Sequence, residues 1–145
     1  MEHRLYLDNC CFNRPYDDQN YLKIELETKA KLWIQEMIVA GRLELVTSYI
    51  LEYENNDNPY VERKFAIENF LRYATVNIDE SDEVLDIANA AKITGLRSKD
   101  ALHVACAIIA ECDYFVTTDS RLLKYVDSRI KVVSPVEFVI ETEGL

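Results

Sequence analysis

Short apolar runs alternate with longer helical patterns along the whole chain, and this alternation limits the architectures open to it. Leu5, Tyr6 and Leu7 read as a short buried strand. From residue 20 to about 40, Leu22, Leu26, Ala30, Ile34 and Ile38 recur at helical spacing, with Gly41 as a stop. "RLELVTS" reads as a second strand and "SYILEYEN" as a short helix capped by Ser48. "PYVERKFAIENFLRYA" predicts a helix with Pro59 near its start, and "TVNI" a short strand. Asp79 or Ser81 caps the next helix, which runs to Gly95 and opens with Asp82 and Glu83, favourable at the positive end of its dipole. "SKDALHVACAIIAEC" is the most apolar helix, with Ser98 as its cap. "YFVTTD" is a strand, "DSRLLKYV" a short helix, "IKVVS" a last strand and "PVEFVIE" a helical or irregular end. Strands alternating with helices imply an α/β fold: a mostly parallel sheet covered on both faces.

The chain of 145 residues holds only three glycines and three prolines, with no linker, repeat or low-complexity segment. One domain spanning residues 1–145 is the expectation. Nearly half the residues are apolar, which argues against disorder. No apolar run approaches the roughly 20 residues of a membrane span, and "MEHRLYLD" lacks the apolar run of a signal peptide. A cytoplasmic protein with no membrane association is expected. Cys10, Cys11, Cys106 and Cys112 form no C-x-x-C pair, which with two histidines disfavours a structural zinc site. Cys106 falls in an apolar helix pattern and reads as core.

In parallel sheets, ligands gather beyond the carboxyl ends of the strands. Asp8 closes the first strand and Asp119 the fourth, while Asp100 and Glu52 stand near helix starts. Each acid has an ordinary explanation: a turn or helix cap for Asp8 and Asp119, a dipole complement for Asp100, a solvated position for Glu52. Together at one rim they would repel by about a few kcal/mol per close pair. A divalent cation relieves that repulsion, and oxygen ligands without Cys or His suit Mg²⁺ or Mn²⁺. Such a site favours metal-assisted phosphodiester hydrolysis.

Four segments, "YLDNCCFNRP", "LVTSYILEYE", "KDALHVACA" and "YFVTTDSRLLK", occur in the order found in PIN-domain proteins. The chain resembles this family, which includes the VapC-type toxin ribonucleases. The resemblance implies a three-layer α/β/α sandwich around a parallel sheet of about five strands. It also implies three or four acids holding Mg²⁺ or Mn²⁺, endonucleolytic cleavage of RNA, a small antitoxin partner and, commonly, a homodimer. Carried over, Asp8, Glu52, Asp100 and Asp119 are the catalytic and metal-binding acids, with Glu54 competing for the second position. Asn9, Arg14, Thr118 and Ser120 are weaker candidates for substrate contact, with turn, salt-bridge or capping duties as alternatives. Arg14 has Asp17 and Asp18 within reach as salt-bridge partners, and His103 reads as a packed helix histidine.

Two other functional classes are weighed against this one. A haloacid-dehalogenase-like phosphohydrolase wants a second aspartate two positions after the first, where this chain has Cys10. A catalytically inactive binding protein on the same fold gains weight from the formal charge of −10, which argues against a broadly basic nucleic-acid surface. A substrate groove would then depend on a few cations, such as Arg14, Lys99, Arg121 and Lys124.

Overall fold

The computed structural model describes residues 3–145. Its sheet has five parallel strands: β1 (His3–Leu7), β2 (Leu43–Ser48), β3 (Val76–Ile78), β4 (Tyr114–Val116) and β5 (Lys131–Val133), in the order β3-β2-β1-β4-β5. Seven α-helices are found among the described residues: α1 (Asn9–Asn13), α2 (Leu22–Val39), α3 (Tyr49–Asn56), α4 (Val61–Leu71), α5 (Asp82–Ile93), α6 (Ser98–Ile109) and α7 (Pro135–Glu143). The chain winds outward from β1 through β2 to β3, then crosses back to β4 on the other side of β1. Right-handed crossovers in two opposite directions place helices on both faces of the sheet. The core is built from strand residues such as Leu5, Tyr6, Leu7, Leu45, Val46 and Phe115 and from the apolar side of α6, Ala101 to Ala107.

Register decides what reaches the sheet's carboxyl edge. Leu7 pairs with Val116, and Val116 pairs with Val133. The residues that follow, Asp8 and Thr117, therefore leave the sheet side by side, with the Asp8 N–H donating to the Val116 carbonyl at 2.9 Å. The strand order reverses between β1 and β4, the kind of switch point at which open parallel sheets form a crevice.

Most predicted elements fall close to their sequence limits. Ser48 caps α3 and Ser81 caps α5, each accepting an N–H from the first helical turn. Gly41 follows α2 with a φ of 76°, a left-handed conformation that an L side chain resists. Four local expectations need correction. Ser98 is the first residue of α6 and Arg97 occupies the cap position. Pro59 stands ahead of α4, whose cap is Tyr60. "YFVTTD" is strand only through Val116: the Thr117 N–H still reaches the Val133 carbonyl at 2.9 Å, but Thr117 to Asp119 are irregular and the turn begins at Ser120. "DSRLLKYV" makes one 3-10 turn, Leu122–Lys124, rather than an α-helix. The expectation that Cys106 is core holds, since it is fully buried, and all four cysteines are free thiols. No helix among the described residues is long and apolar enough to cross a membrane.

Candidate active site

Asp8 is the most constrained acid of the carboxyl edge. It is 6% exposed, and Oδ1 accepts the Asn9 N–H at 2.8 Å, which makes Asp8 the cap of α1. Oδ2 accepts the Thr117 hydroxyl at 2.8 Å and the Cys10 thiol at 3.3 Å. These donors leave the side chain little rotational freedom. The same Thr117 oxygen accepts the Asp119 N–H at 3.1 Å, so one buried hydroxyl ties the ends of β1 and β4 together. Asp119 Oδ1 accepts the Arg121 N–H at 2.8 Å, fixing the turn after the strand.

Asp100, in the first turn of α6, faces the same edge. Its carboxyl is pushed up from the usual aspartate range by burial first, then by the negative charges of Asp8 and Asp119. His103 and Arg97 act in the opposite direction. Asp8, Asp100 and Asp119 thus lie within electrostatic reach at one edge, although 19 to 111 residues apart in sequence. Among the described residues no three His, Cys, Asp or Glu side chains are already drawn into a ready cation cage. The three aspartates share an edge without converging on a point. Their donor chemistry nevertheless fits a divalent ion: carboxylate oxygens around like charges that a cation would offset.

The two glutamates of α3 separate. Glu52 is exposed and lines a crevice of about 250 Å³ with Asn55, Asn56, Glu68 and Leu71. Glu54 is half-buried and bonds His103 Nε2. His103 is 1% exposed, and its Nδ1 lies 2.6 Å from the Tyr6 hydroxyl, itself 2.6 Å from Ser48 Oγ. One set of donors satisfies this chain: His103 Nε2–H to Glu54, Tyr6 O–H to His103 Nδ1, Ser48 O–H to the Tyr6 oxygen. Both Asp8 and Glu54 raise the Tyr6 pKa, though less than its complete burial does. The geometry therefore brings Glu54, rather than Glu52, toward the aspartates, by way of His103 one turn after Asp100.

The weaker candidates are distributed as follows. The Asn9 backbone N–H serves Asp8. Thr118 is 6% exposed and donates its N–H to Cys10 Sγ at 3.4 Å, while Ser120 is exposed. Arg14 is engaged elsewhere, 3.0 Å from Asp17 and 3.2 Å from Glu27. Thr117 and the Tyr6–Ser48–His103 chain are absent from the sequence-level candidates. A groove of about 890 Å³ lies at the opposite edge, near Asp113 and Lys131 at the starts of β4 and β5. Its two cations are paired, Arg129 with Asp127 at 2.9 Å and Lys131 with Glu141 at 2.8 Å.

A parallel sheet with this switch point, and aspartates at the ends of β1 and β4 and the start of α6, define an acid-edged α/β protein. The PIN-domain family model matches residues 5–128, and the chain belongs to that family. Among solved structures, it is similar to VapBC2 from Rickettsia felis, bound to a DNA fragment from its promoter. That match has a TM-score of 0.55 and 17% identity, covering 89% of this chain and 96% of the other. FitAcB from Neisseria gonorrhoeae is similar at a TM-score of 0.55 and 15% identity, covering 90% of this chain and 97% of the other. A comparison with curated proteins gives no match.

Proposed function

We propose that this chain is a metal-dependent endoribonuclease that hydrolyses RNA phosphodiester bonds. The observation that supports it most is the placing of Asp8, Asp100 and Asp119 along one carboxyl edge within electrostatic reach, with the Thr117 hydroxyl bonded to the Asp8 carboxylate and the Asp119 N–H. Asp8, Asp100 and Asp119 would hold Mg²⁺ or Mn²⁺, with Glu54 as the fourth acid in place of Glu52. A divalent ion bound there supplies neutralising charge for the phosphate and a more acidic water. Thr117 and Cys10 hold the Asp8 carboxylate in one orientation, so that charge faces the edge without reorganisation. His103 keeps Glu54 turned inward, and Tyr6 fixes the His103 ring. The same reading extends to a small antitoxin protein as partner, to a homodimer and to a cytoplasmic location, all three supported by the family likeness.

Asp8→Asn is the direct test. It should lower Mn²⁺-dependent cleavage of unpaired RNA by at least about 100-fold. The variant should stay folded in a melting experiment, because the Asn side-chain oxygen can keep the α1 cap and the loss of one like charge offsets part of the lost Thr117 and Cys10 bonds. Full cleavage by the variant would refute the assignment. A catalytically inactive binding protein is the second reading, favoured by the formal charge of −10, which disfavours a broadly basic nucleic-acid surface. It predicts no cleavage by the unmodified chain at saturating Mn²⁺ in a preparation that still binds RNA.

A further inference from the structure

The acid edge leaves a question open: how does a chain of formal charge −10 hold a polyanion beside three aspartates? Attraction must come from a few local groups. Arg97, Lys99 and Arg121 are exposed and flank Asp100 and Asp119 in sequence. Among the described residues none of the three takes part in an ion pair. Tyr53 stands next to Glu54 on α3 and is 56% exposed. The Lys99 ammonium lies 5.5 Å from its ring centroid, near the outer limit of a cation–π contact. Other exposed tyrosines are differently placed. Tyr16 and Tyr60 both pack on Arg63, at 4.5 and 3.9 Å from its guanidinium carbon, and neither neighbours an acid of the edge.

We propose that Tyr53 and Lys99 form a nucleotide subsite beside the carboxylates, where the ring stacks an unpaired base and the ammonium holds the adjoining phosphate. Aromatic rings paired with cations are how proteins grip single strands without reading sequence, because every base offers a π face. In a duplex that face is buried against its neighbours. The subsite therefore selects unpaired RNA. Tyr53 links α3 to the start of α6, so a base stacked there sets its phosphate next to Asp100. This inference rests on the nuclease reading for its substrate, and its test does not require turnover.

The experiment measures equilibrium binding of a fluorescein-labelled unpaired RNA oligonucleotide by anisotropy, in Mn²⁺, to the full chain carrying Asp8→Asn. Adding Tyr53→Ala should weaken binding about tenfold or more, while Tyr53→Phe should keep it within about twofold. Adding Lys99→Met should weaken binding and lower the slope of log affinity against log salt by about one. The same RNA annealed to its complement should bind poorly to every variant. Undiminished binding by Tyr53→Ala, equal binding of the duplex, or no binding by the Asp8→Asn parent would each overturn the proposal. Tyr53-dependent binding with no cleavage by the unmodified chain would sink the hydrolase and leave the subsite standing. Cleavage with a Tyr53→Ala KM unchanged would do the reverse.

Discussion

Two regions of this molecule hold charge away from bulk water, and they handle it in opposite ways. At the carboxyl edge of the sheet, Asp8, Asp100 and Asp119 carry one sign, and the direct hydrogen bonds to Asp8 and Asp119 come from neutral donors: a hydroxyl, a thiol and backbone amides. Around α1 and α2, Arg14, Glu27 and Lys31 carry both signs. Glu27 is 2% exposed and Lys31 6% exposed. Arg14 Nη2 stands 3.2 Å from Glu27 Oε1, near enough for attraction but off hydrogen-bond angle, so both Glu27 oxygens lack a bonded donor. The Lys31 ammonium donates to Gln35 at 2.6 Å and sits 5.6 and 5.9 Å from the Phe12 and Phe70 ring centres. Like charges kept together at an opening leave an electrostatic vacancy for a ligand. Mixed charges sealed under aromatic rings leave none. The first region should govern activity and the second stability.

The sharpest way to break that division lies in α3. Glu54→Gln should lower cleavage of unpaired RNA by about 10- to 100-fold, the range for losing a supporting carboxylate. Glu52→Gln should change it by less than about twofold, since Glu52 faces the crevice beside Glu68. Initial rates in Mn²⁺ decide between them, and the opposite ranking would return the second acid to Glu52.

This pair also shows where the sequence was readable and where it was not. Asp8 was legible as a candidate because an apolar strand ends directly before it, Asp119 because it follows one within three residues, and Asp100 because it stands in the first turn of the most apolar helix. The five strands and their alternation with helices followed from the same pattern. The two glutamates, two positions apart, point to opposite sides of a helix, so choosing between them requires the helix phase. That phase was present: Glu54 falls four residues after Ile50 and three after Leu51, both buried, and so shares their face. Resemblance to a motif gave no such phase. Thr117 was hidden for another reason. Its hydroxyl matters only because β1 and β4 end in register, a fact of three-dimensional pairing. The five residues of α1 gave no periodic signal, since "NCCFN" is shorter than two turns; Asp8 caps its start.

In the second region, Arg14→Met should destabilise the fold by about 3 kcal/mol in urea unfolding, because it strands the Glu27 carboxylate in the interior. Adding Glu27→Met should recover most of that loss. Cleavage per folded molecule should stay within about twofold in both variants. A large loss of activity in the stably folded double variant would place Arg14 in substrate binding and erase the contrast between the regions.

Lys31 carries the smallest and most pH-sensitive effect. Burial lowers its pKa from the usual 10.5 to about 8, with the nearby Cys11 thiol acting slightly in the opposite direction. Between those values the unfolded chain binds the extra proton and the folded chain does not. Stability attributable to this group therefore rises with pH from about 8 to 10.5, and below 8 the full cost of a buried ammonium is present. Lys31→Met removes that cost while giving up the Gln35 hydrogen bond and the contacts with Phe12 and Phe70. The net gain should be about 1–2 kcal/mol at pH 7 and should shrink toward zero or reverse by pH 10.5. Urea unfolding of both proteins at pH 7, 9 and 10.5 measures the difference. A variant less stable than its parent at pH 7 would mean that the aromatic rings and Gln35 compensate the charge in full, and that this region stores no electrostatic penalty at all.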